Sequence, residues 1–248
     1  MIKMIILGLD ALDVGMVEKF NCKNLMQLEY GKTEIGGFAL ERTVVLWASF
    51  LTGKNMESEI PVKGQWEFKL PIEKTFFKFF DLVETVDVPA FSLKLKNHKR
   101  EHILLVGFFK NENKIEEFDE VVWRNHEENK KEFFSLLNNF LSGNKNKSKV
   151  LMGYFDLADA IGHLSFGDNE KMEEIYKELE SMAKKIKEIA EPFNETILIV
   201  SDHGMGAVGR FGDHTKNGFY SFNKKVGIKP NMPEITDFFE MIKNSRNR

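Results

Sequence analysis

Residues 196–209, Thr-Ile-Leu-Ile-Val-Ser-Asp-His-Gly-Met-Gly-Ala-Val-Gly (TILIVSDHGMGAVG), allow two incompatible folds. The apolar run ends either in a glycine loop of the form G-x-G-x-x-G or in a strand end that carries an Asp-His pair. A glycine loop that cradles a dinucleotide needs a helix directly after the glycines, whose N-terminus holds the pyrophosphate. It also needs an acid about 20 residues further on, at the next strand end. Here RFGDHTKNG (210–218) follows, polar and without an apolar helical period, and Ile228-Lys229-Pro230 stands where the acid belongs. The metal-ligand reading of Asp202 and His203 survives. The glycines are then expected to let the backbone turn sharply, so that His214 returns to the same place.

Outward from this stretch, other apolar runs read as buried strands: Met4–Leu9, Ile103–Gly107 and Val150–Phe155. Apolar on both faces, they suit a sheet covered by helices on each side. Met172, Ile175, Leu179, Met182, Ile186 and Ile189 recur at three- and four-residue spacing and predict a helix over 169–190. A second helix is expected over about 125–141. Strands alternating with helices predict an α/β fold, a three-layer α/β/α sandwich with a mostly parallel central sheet. The chain reads as a single domain over 1–248. The less regular stretch of about 61–148, interrupted by KLKNHKREH and KNENKIEEFDE, leaves room for a small insertion or cap, and SGNKNKSK (142–149) reads as a turn.

Ligands in open α/β sheets bind beyond the carboxyl ends of the strands. Asp10 follows the first strand, Asp156 and Asp159 the run VLMGYF, and Asp202 and His203 the run TILIV. Asp159 and His163 have the spacing that puts two side chains on one side of a helical turn, and carboxylate with imidazole suits zinc or manganese. His214 lies in a segment that reads as a glycine-rich loop. His98, His102 and His126 sit among Lys, Arg, Asn and Glu and read as surface residues. In ERTVVLWASFLTGKN (41–55), Trp47, Phe50 and Leu51 mark the start of a buried helix with Thr43 as a candidate N-cap.

Composition is that of an ordinary globular protein: 248 residues, 42% hydrophobic, 29% charged, net charge −3. Scattered basic residues argue against a duplex nucleic-acid surface. Cys22, alone, excludes an internal disulfide and a Cys metal cage, and reads as a small buried apolar residue. No run approaches the ~18 apolar residues of a membrane span, and the N-terminal run is too short for a signal peptide. A cytoplasmic location is expected, in which the Asn146 and Asn194 glycosylation-like sites carry little meaning. Oligomeric state is not legible.

Together these segments resemble the alkaline phosphatase superfamily, and within it the type I phosphodiesterase/nucleotide pyrophosphatase branch. The matching stretches are Gly8-Leu9-Asp10, Thr43 to Gly53, Asp159 to His163, Ser201 to Met205, and His214 with Asn217-Gly218, in the family's order. Three departures accompany the match. Val45 replaces a proline, Met56–Ile60 replaces His-Gly-Ile, and Gln65 is the nearest amide to the family's phosphoryl-binding asparagine. Asp156 matches no ligand and is expected to form hydrogen bonds at its strand end.

The resemblance implies two divalent ions, zinc with manganese as the alternative. One would be held by Asp159, His163 and His214, the other by Asp10, Asp202, His203 and Thr43. It further implies that Thr43 is the nucleophile for cleavage of a phosphodiester or pyrophosphate bond through a phosphothreonine. A divalent cation makes the alkoxide of an otherwise poor hydroxyl nucleophile accessible. The substrate would be a small phosphorylated compound, a nucleotide among the candidates. Two alternatives stay open: a phosphomonoesterase or phosphoglycerate mutase-like enzyme of the same superfamily, and a catalytically silent metal- or nucleotide-binding scaffold. A sulfatase is disfavoured, because Thr43 cannot become formylglycine.

Overall fold

A computed structural model describes residues 3–110, 114–142, 147–228 and 232–245 of the chain; Asn146 falls outside them. Its elements run β1 (Lys3–Leu9), α1 (Val14–Lys19), α2 (Lys23–Met26), β2 (Glu29–Glu34), α3 (Thr43–Thr52), β3 (Leu82–Val86), α4 (Leu95–Phe109) and α5 (Ile115–Ser142). There follow β4 (Lys149–Phe155), α6 (Leu157–Ser165), α7 (Asn169–Ala190), β5 (Thr196–Val200), β6 (Gly204–Val208), β7 (Phe211–Thr215), β8 (Asn217–Phe222) and α8 (Phe238–Ser245). Six strands form one sheet in the order β2-β8-β5-β1-β4-β3. The four strands β5, β1, β4 and β3 are parallel, and β8 runs antiparallel to both β5 and β2.

Strand alternation makes two cores. Ile5, Leu7 and Leu9 of β1, with Leu151 and Phe155 of β4, pack under α1 and α4 to α7. Met4 and Ile6, with Val150, Met152 and Tyr154, pack under α3 and α8. The sheet is therefore buried on both faces, as its apolar runs require, and the architecture is the expected α/β/α sandwich. Among the described residues no helix is long and apolar enough to cross a membrane.

Three expectations are corrected. Ile103–Gly107 is the C-terminal part of α4, not a strand. Leu104 and Gly107, three apart, are buried while Ile103 is 62% exposed, which is one-sided helical burial. The sheet edge is instead formed by LVETV (β3), whose exposed Leu82 and central Glu84 disguise it in sequence. Thr43 is the first helical residue of α3, with Arg42 as the cap. His214 lies in a strand: β6 and β7 form a hairpin pairing Met205 with His214 around the turn Gly209-Arg210. No helix follows the glycines, so the dinucleotide reading is excluded. Cys22 is buried and free, as expected.

Helix α3 is seated on the sheet through Gly8. A Cβ there would lie 2.6 Å from the ring of Trp47, which is fully buried edge-on to Phe50 and Tyr154. Gly8→Ala should destabilise the protein by about 1–3 kcal/mol through overpacking, measured by urea unfolding. An unchanged midpoint would mean that α3 has room to shift.

Candidate active site

Parallel strands leave their carboxyl ends on one edge, and the polar residues after β1, β4 and β5 meet there. Asp10 follows β1, where Ala11 adopts φ +54° and bends the chain away. Leu12 N–H donates to Ser201 Oγ (3.0 Å), and that hydroxyl donates to the His203 carbonyl (2.6 Å), binding the β1 and β5 ends together. Asp159 and His163 lie on one side of α6, and the hairpin lays His214 beside them. Gly162 allows this contact, since a Cβ there would sit 2.5 Å from Met205 Sδ.

The three histidines share one arrangement. The Nδ1 of each faces a backbone carbonyl: His163 that of Gly212 (3.4 Å), His203 that of Gly204 (3.1 Å), His214 that of Glu41 (3.1 Å). Each carbonyl accepts the Nδ1 proton and turns Nε2 inward, where it offers a lone pair when the ring is neutral. Burial opposes the charge of His214, but Asp159 raises its pKa to about 9 in the metal-free protein. The inward atoms meet carboxylates. His214 Nε2 lies 3.1 Å from Asp159 Oδ1 and 3.1 Å from His163 Nε2, and His163 Nε2 lies 3.5 Å from Asp159 Oδ1. His203 Nε2 lies 3.2 Å from Asp10 Oδ1 and 3.5 Å from Asp202 Oδ2. The His203 and His214 rings stack with centroids 3.8 Å apart. Asp10, Asp202 and His203 are fully buried, whereas the Asp159, His163 and His214 side chains are each about one-fifth exposed.

Acceptors facing acceptors need a proton or a cation between them. Asp10 Oδ1, both Asp202 oxygens and His203 Nε2 are buried without a hydrogen-bond partner, which costs free energy unless a positive charge joins them. Burial, then the charge of Asp159, pushes Asp10 up to about 7, although Tyr154 donates its hydroxyl proton to Asp10 Oδ2. Burial and the charge of Asp10 push Asp202 well above the usual carboxylate range. Burial opposes ionisation of Asp159, but His163 and His214 outweigh it and hold Asp159 low. Burial, then the charge of His214, lowers His203 to about 3. Oxygen and imidazole donors of this kind fit a divalent ion, and of the four groups among the described residues that meet the spacing, two lie here: Asp159 with His203 and His214, and Asp10 with Asp202 and His203.

Thr43 is partly exposed and lines a cavity of about 160 Å³ together with Asp159, His163 and His214. Its helix start is tied to the hairpin through the Glu41–His214 contact and through Lys216 Nζ to Glu41 Oε1 (2.7 Å). Gln65 lies in a 3-10 turn with its Oε1 buried, outside the residues that line this cavity.

A neighbouring cluster was hidden in the sequence. His98 is 8% exposed and His126 2%, so neither is a surface residue; His102 is exposed. His126 turns inward onto Phe155 and meets Glu178 at 3.1 Å. His98 Nε2 faces Asp87 Oδ2 (3.2 Å), and Nδ1 faces Asp156 Oδ2 (3.2 Å) and Glu101 Oε2 (3.5 Å). Burial opposes its charge, but Asp156 and Asp87 hold His98 well above the usual histidine range. Asp156 thus takes a hydrogen-bonding place. The signal that would have found this cluster is the His98–Glu101 spacing of three, one helical face inside a run dominated by lysine.

Burial, then the charge of Asp156, pushes Glu101 up to about 9. A folded pKa above the unfolded one means that the proton's contribution to stability is whole below about pH 4.5 and lost as pH rises toward 9. The melting temperature of Glu101→Gln should therefore climb relative to wild type between pH 5 and pH 9, by about 5 °C or more. A pH-independent difference would show that Glu101 is ionised in the native state.

The fold is that of an alkaline phosphatase-like protein. Alkaline phosphatase from the Antarctic bacterium TAB5 superposes with a TM-score of 0.58 over 99% of this chain and 98% of its own, at 11% identity. PsFucS1 sulfatase from Pseudoalteromonas sp. gives 0.55 over 96% of this chain and 66% of its own, at 11% identity. Murine ectonucleotide pyrophosphatase/phosphodiesterase 5 gives 0.46 at 11% identity, over 84% of this chain and 58% of its own. The family model of type I phosphodiesterase/nucleotide pyrophosphatase matches residues 72–220. The chain belongs to that family, whose members are hydrolases of phosphoric ester bonds. The matched span includes Asp159, His163, Asp202, His203 and His214; Asp10 and Thr43 lie before it. No curated protein matches the sequence.

Proposed function

We propose that the chain cleaves a phosphodiester or pyrophosphate bond of a small phosphorylated compound through a phosphothreonine at Thr43, with two divalent ions bound. The observation that carries this reading is the inward turn of three imidazole Nε2 atoms onto three carboxylates, four of whose convergent atoms are buried without a partner. Asp159, His163 and His214 would hold one ion; Asp10, Asp202 and His203 would hold the second, with Thr43 as a further ligand. Two imidazoles with one carboxylate suit zinc, and manganese is the alternative. Support for a divalent ion also comes from variants of the TAB5 phosphatase, which bind magnesium.

When bound, the ions supply positive charge that favours the threonine alkoxide and stabilises the phosphoryl oxygens. Thr43 Oγ1 attacks phosphorus, the opposite substituent leaves, and water then releases the phosphoryl group from Thr43. The N-terminus of α3 directs backbone N–H groups toward the transferred phosphoryl charge. The carbonyls of Gly212, Gly204 and Glu41 hold the imidazoles as the Nδ1–H tautomers throughout.

The test uses chelated protein reloaded with Zn²⁺ or Mn²⁺. Bis-p-nitrophenyl phosphate should turn over faster than p-nitrophenyl phosphate. A monoester preference would move the chain to the phosphomonoesterases, and no turnover with two ions bound would favour the silent scaffold.

A further inference from the structure

The cavity at Thr43 continues away from the ligand cluster, and its far wall is formed by Trp66, His98, Glu101 and Asp156. A second cavity of about 140 Å³ shares Trp66, His98 and His102 with it and runs on to Lys99 and Ile103. Trp66 lies parallel to the His98 ring, 6.0 Å between centroids and 9° between planes, so the two cavities share one flat wall. Together they make a groove that starts at Thr43 and is lined by Trp66 and by His98 and His102 of α4.

The wall offers little positive charge to a phosphate. Among the described residues lining the two cavities the single lysine or arginine is Lys99, which is ion-paired with Glu67 at 2.7 Å. His98 has no N–H left for a ligand, because Nε2 meets Asp87 and Nδ1 meets Asp156. Asp87 is further held by Asn129 Nδ2 (2.6 Å) and the Lys94 N–H (2.6 Å), and Glu101 Oε1 accepts from Asn125 (2.7 Å). Asp156, held by His98 Nδ1 and by a hydrogen bond with Glu101, keeps 13% of its side chain exposed and lines the groove beyond the Asp159 cluster. His98 outweighs burial and holds it below the usual carboxylate range, so it accepts hydrogen bonds and repels anions.

We propose that this groove receives one substituent of the substrate phosphorus and selects a substituent carrying hydroxyl or ammonium hydrogens over one carrying a second phosphate. The proposal rests on the phosphoester-hydrolase reading above and deepens it, favouring simple phosphodiesters over nucleotide pyrophosphates. Asp156 is the specificity-determining acceptor, and Trp66 stacked on His98 is the flat wall against which the substituent's carbon atoms lie. A second phosphate would meet Asp156 with no cation free to neutralise it, and like charges at a recognition site discriminate strongly.

Three probes test it. Glycerophosphoglycerol offers hydroxyls, glycerophosphoethanolamine an ammonium, and ADP-ribose a second phosphate. For the metal-loaded wild type, kcat/KM for at least one of the first two should exceed that for ADP-ribose by about 100-fold, and the better one identifies the donor. His102→Arg, on the exposed rim, supplies a cation and should narrow the ratio about tenfold. ADP-ribose cleaved as well as the simple diesters would overturn the proposal. The same probes are titrated calorimetrically into metal-loaded Thr43→Ala protein, where binding is read without turnover. Tighter binding of a simple diester supports the groove assignment even if wild type hydrolyses none of them, an outcome that would sink the enzyme reading alone. Equal or tighter binding of ADP-ribose overturns the groove assignment whatever the wild type cleaves.

Discussion

Thr43→Ala is expected to lower kcat for bis-p-nitrophenyl phosphate by about a thousandfold or more, with both ions still bound. Removal of an attacking hydroxyl leaves only binding and charge stabilisation, and comparable nucleophile deletions leave a small residual rate. The fold isolates the effect. Thr43 is partly exposed at the first turn of α3, while the helix is anchored further along by Val44 to Leu51, all buried. Folding should therefore be nearly unchanged, and loss of a single methyl-bearing hydroxyl at a helix start costs little. Kinetics on protein of verified metal content give the answer. Turnover that persists in Thr43→Ala would remove the phosphothreonine and require water to attack phosphorus directly. Thr43→Ser, which keeps the hydroxyl, should retain a substantial part of the rate.

Asp202→Asn should act in opposite directions on two properties. Burial and the charge of Asp10 raise the Asp202 pKa, so metal-free protein holds a carboxyl that resists ionisation. The stability from that retained proton is present at low pH and lost as pH rises through the folded value. Asparagine removes the charge, and its amide hydrogens can donate to the neighbouring acceptors. Metal-free Asp202→Asn should thus melt several degrees above metal-free wild type at pH 8. With Zn²⁺ present the order should reverse, because the variant loses an anionic donor. Metal affinity should drop by about 100-fold and turnover with it. Melting curves with and without chelator, together with metal content per chain, measure both. A variant that keeps two ions and full turnover would take Asp202 out of the ligand set. A metal-free variant less stable than wild type would show that the buried acids are not in conflict.

Much of the scaffold was legible because it depends on local patterns. The runs of β1, β4 and β5 are apolar on both faces, which a strand covered by helices must be, and α7 repeats its apolar residues with the period of a helix. Once those strands are taken as parallel, Asp10, Asp159, Asp202 and His203 fall at one edge of the sheet. The metal-ligand candidates followed from that rule and from the family's motifs.

The misreadings share one cause. Ile103–Gly107 is apolar enough for a strand, and only packing against α5 made it helix, while LVETV became a strand by pairing with β4. His98 and His126 sit among charged neighbours in sequence, yet their partners Asp87, Asp156 and Glu178 come from other elements.

The sequence by itself determined the layered sheet and the carboxylates at its strand ends, since both follow from periodicity and chain order, while the candidate nucleophile came from the resemblance of Thr43 to Gly53 to the family's motif. Only the tertiary structure decided which imidazole nitrogen faces inward, which acids share one buried space, and that the groove beside Thr43 is walled by Trp66, His98 and Asp156. Those outcomes depend on distances between residues far apart in the chain, and a side chain's proton and charge are set by the groups that folding brings within a few ångströms of it.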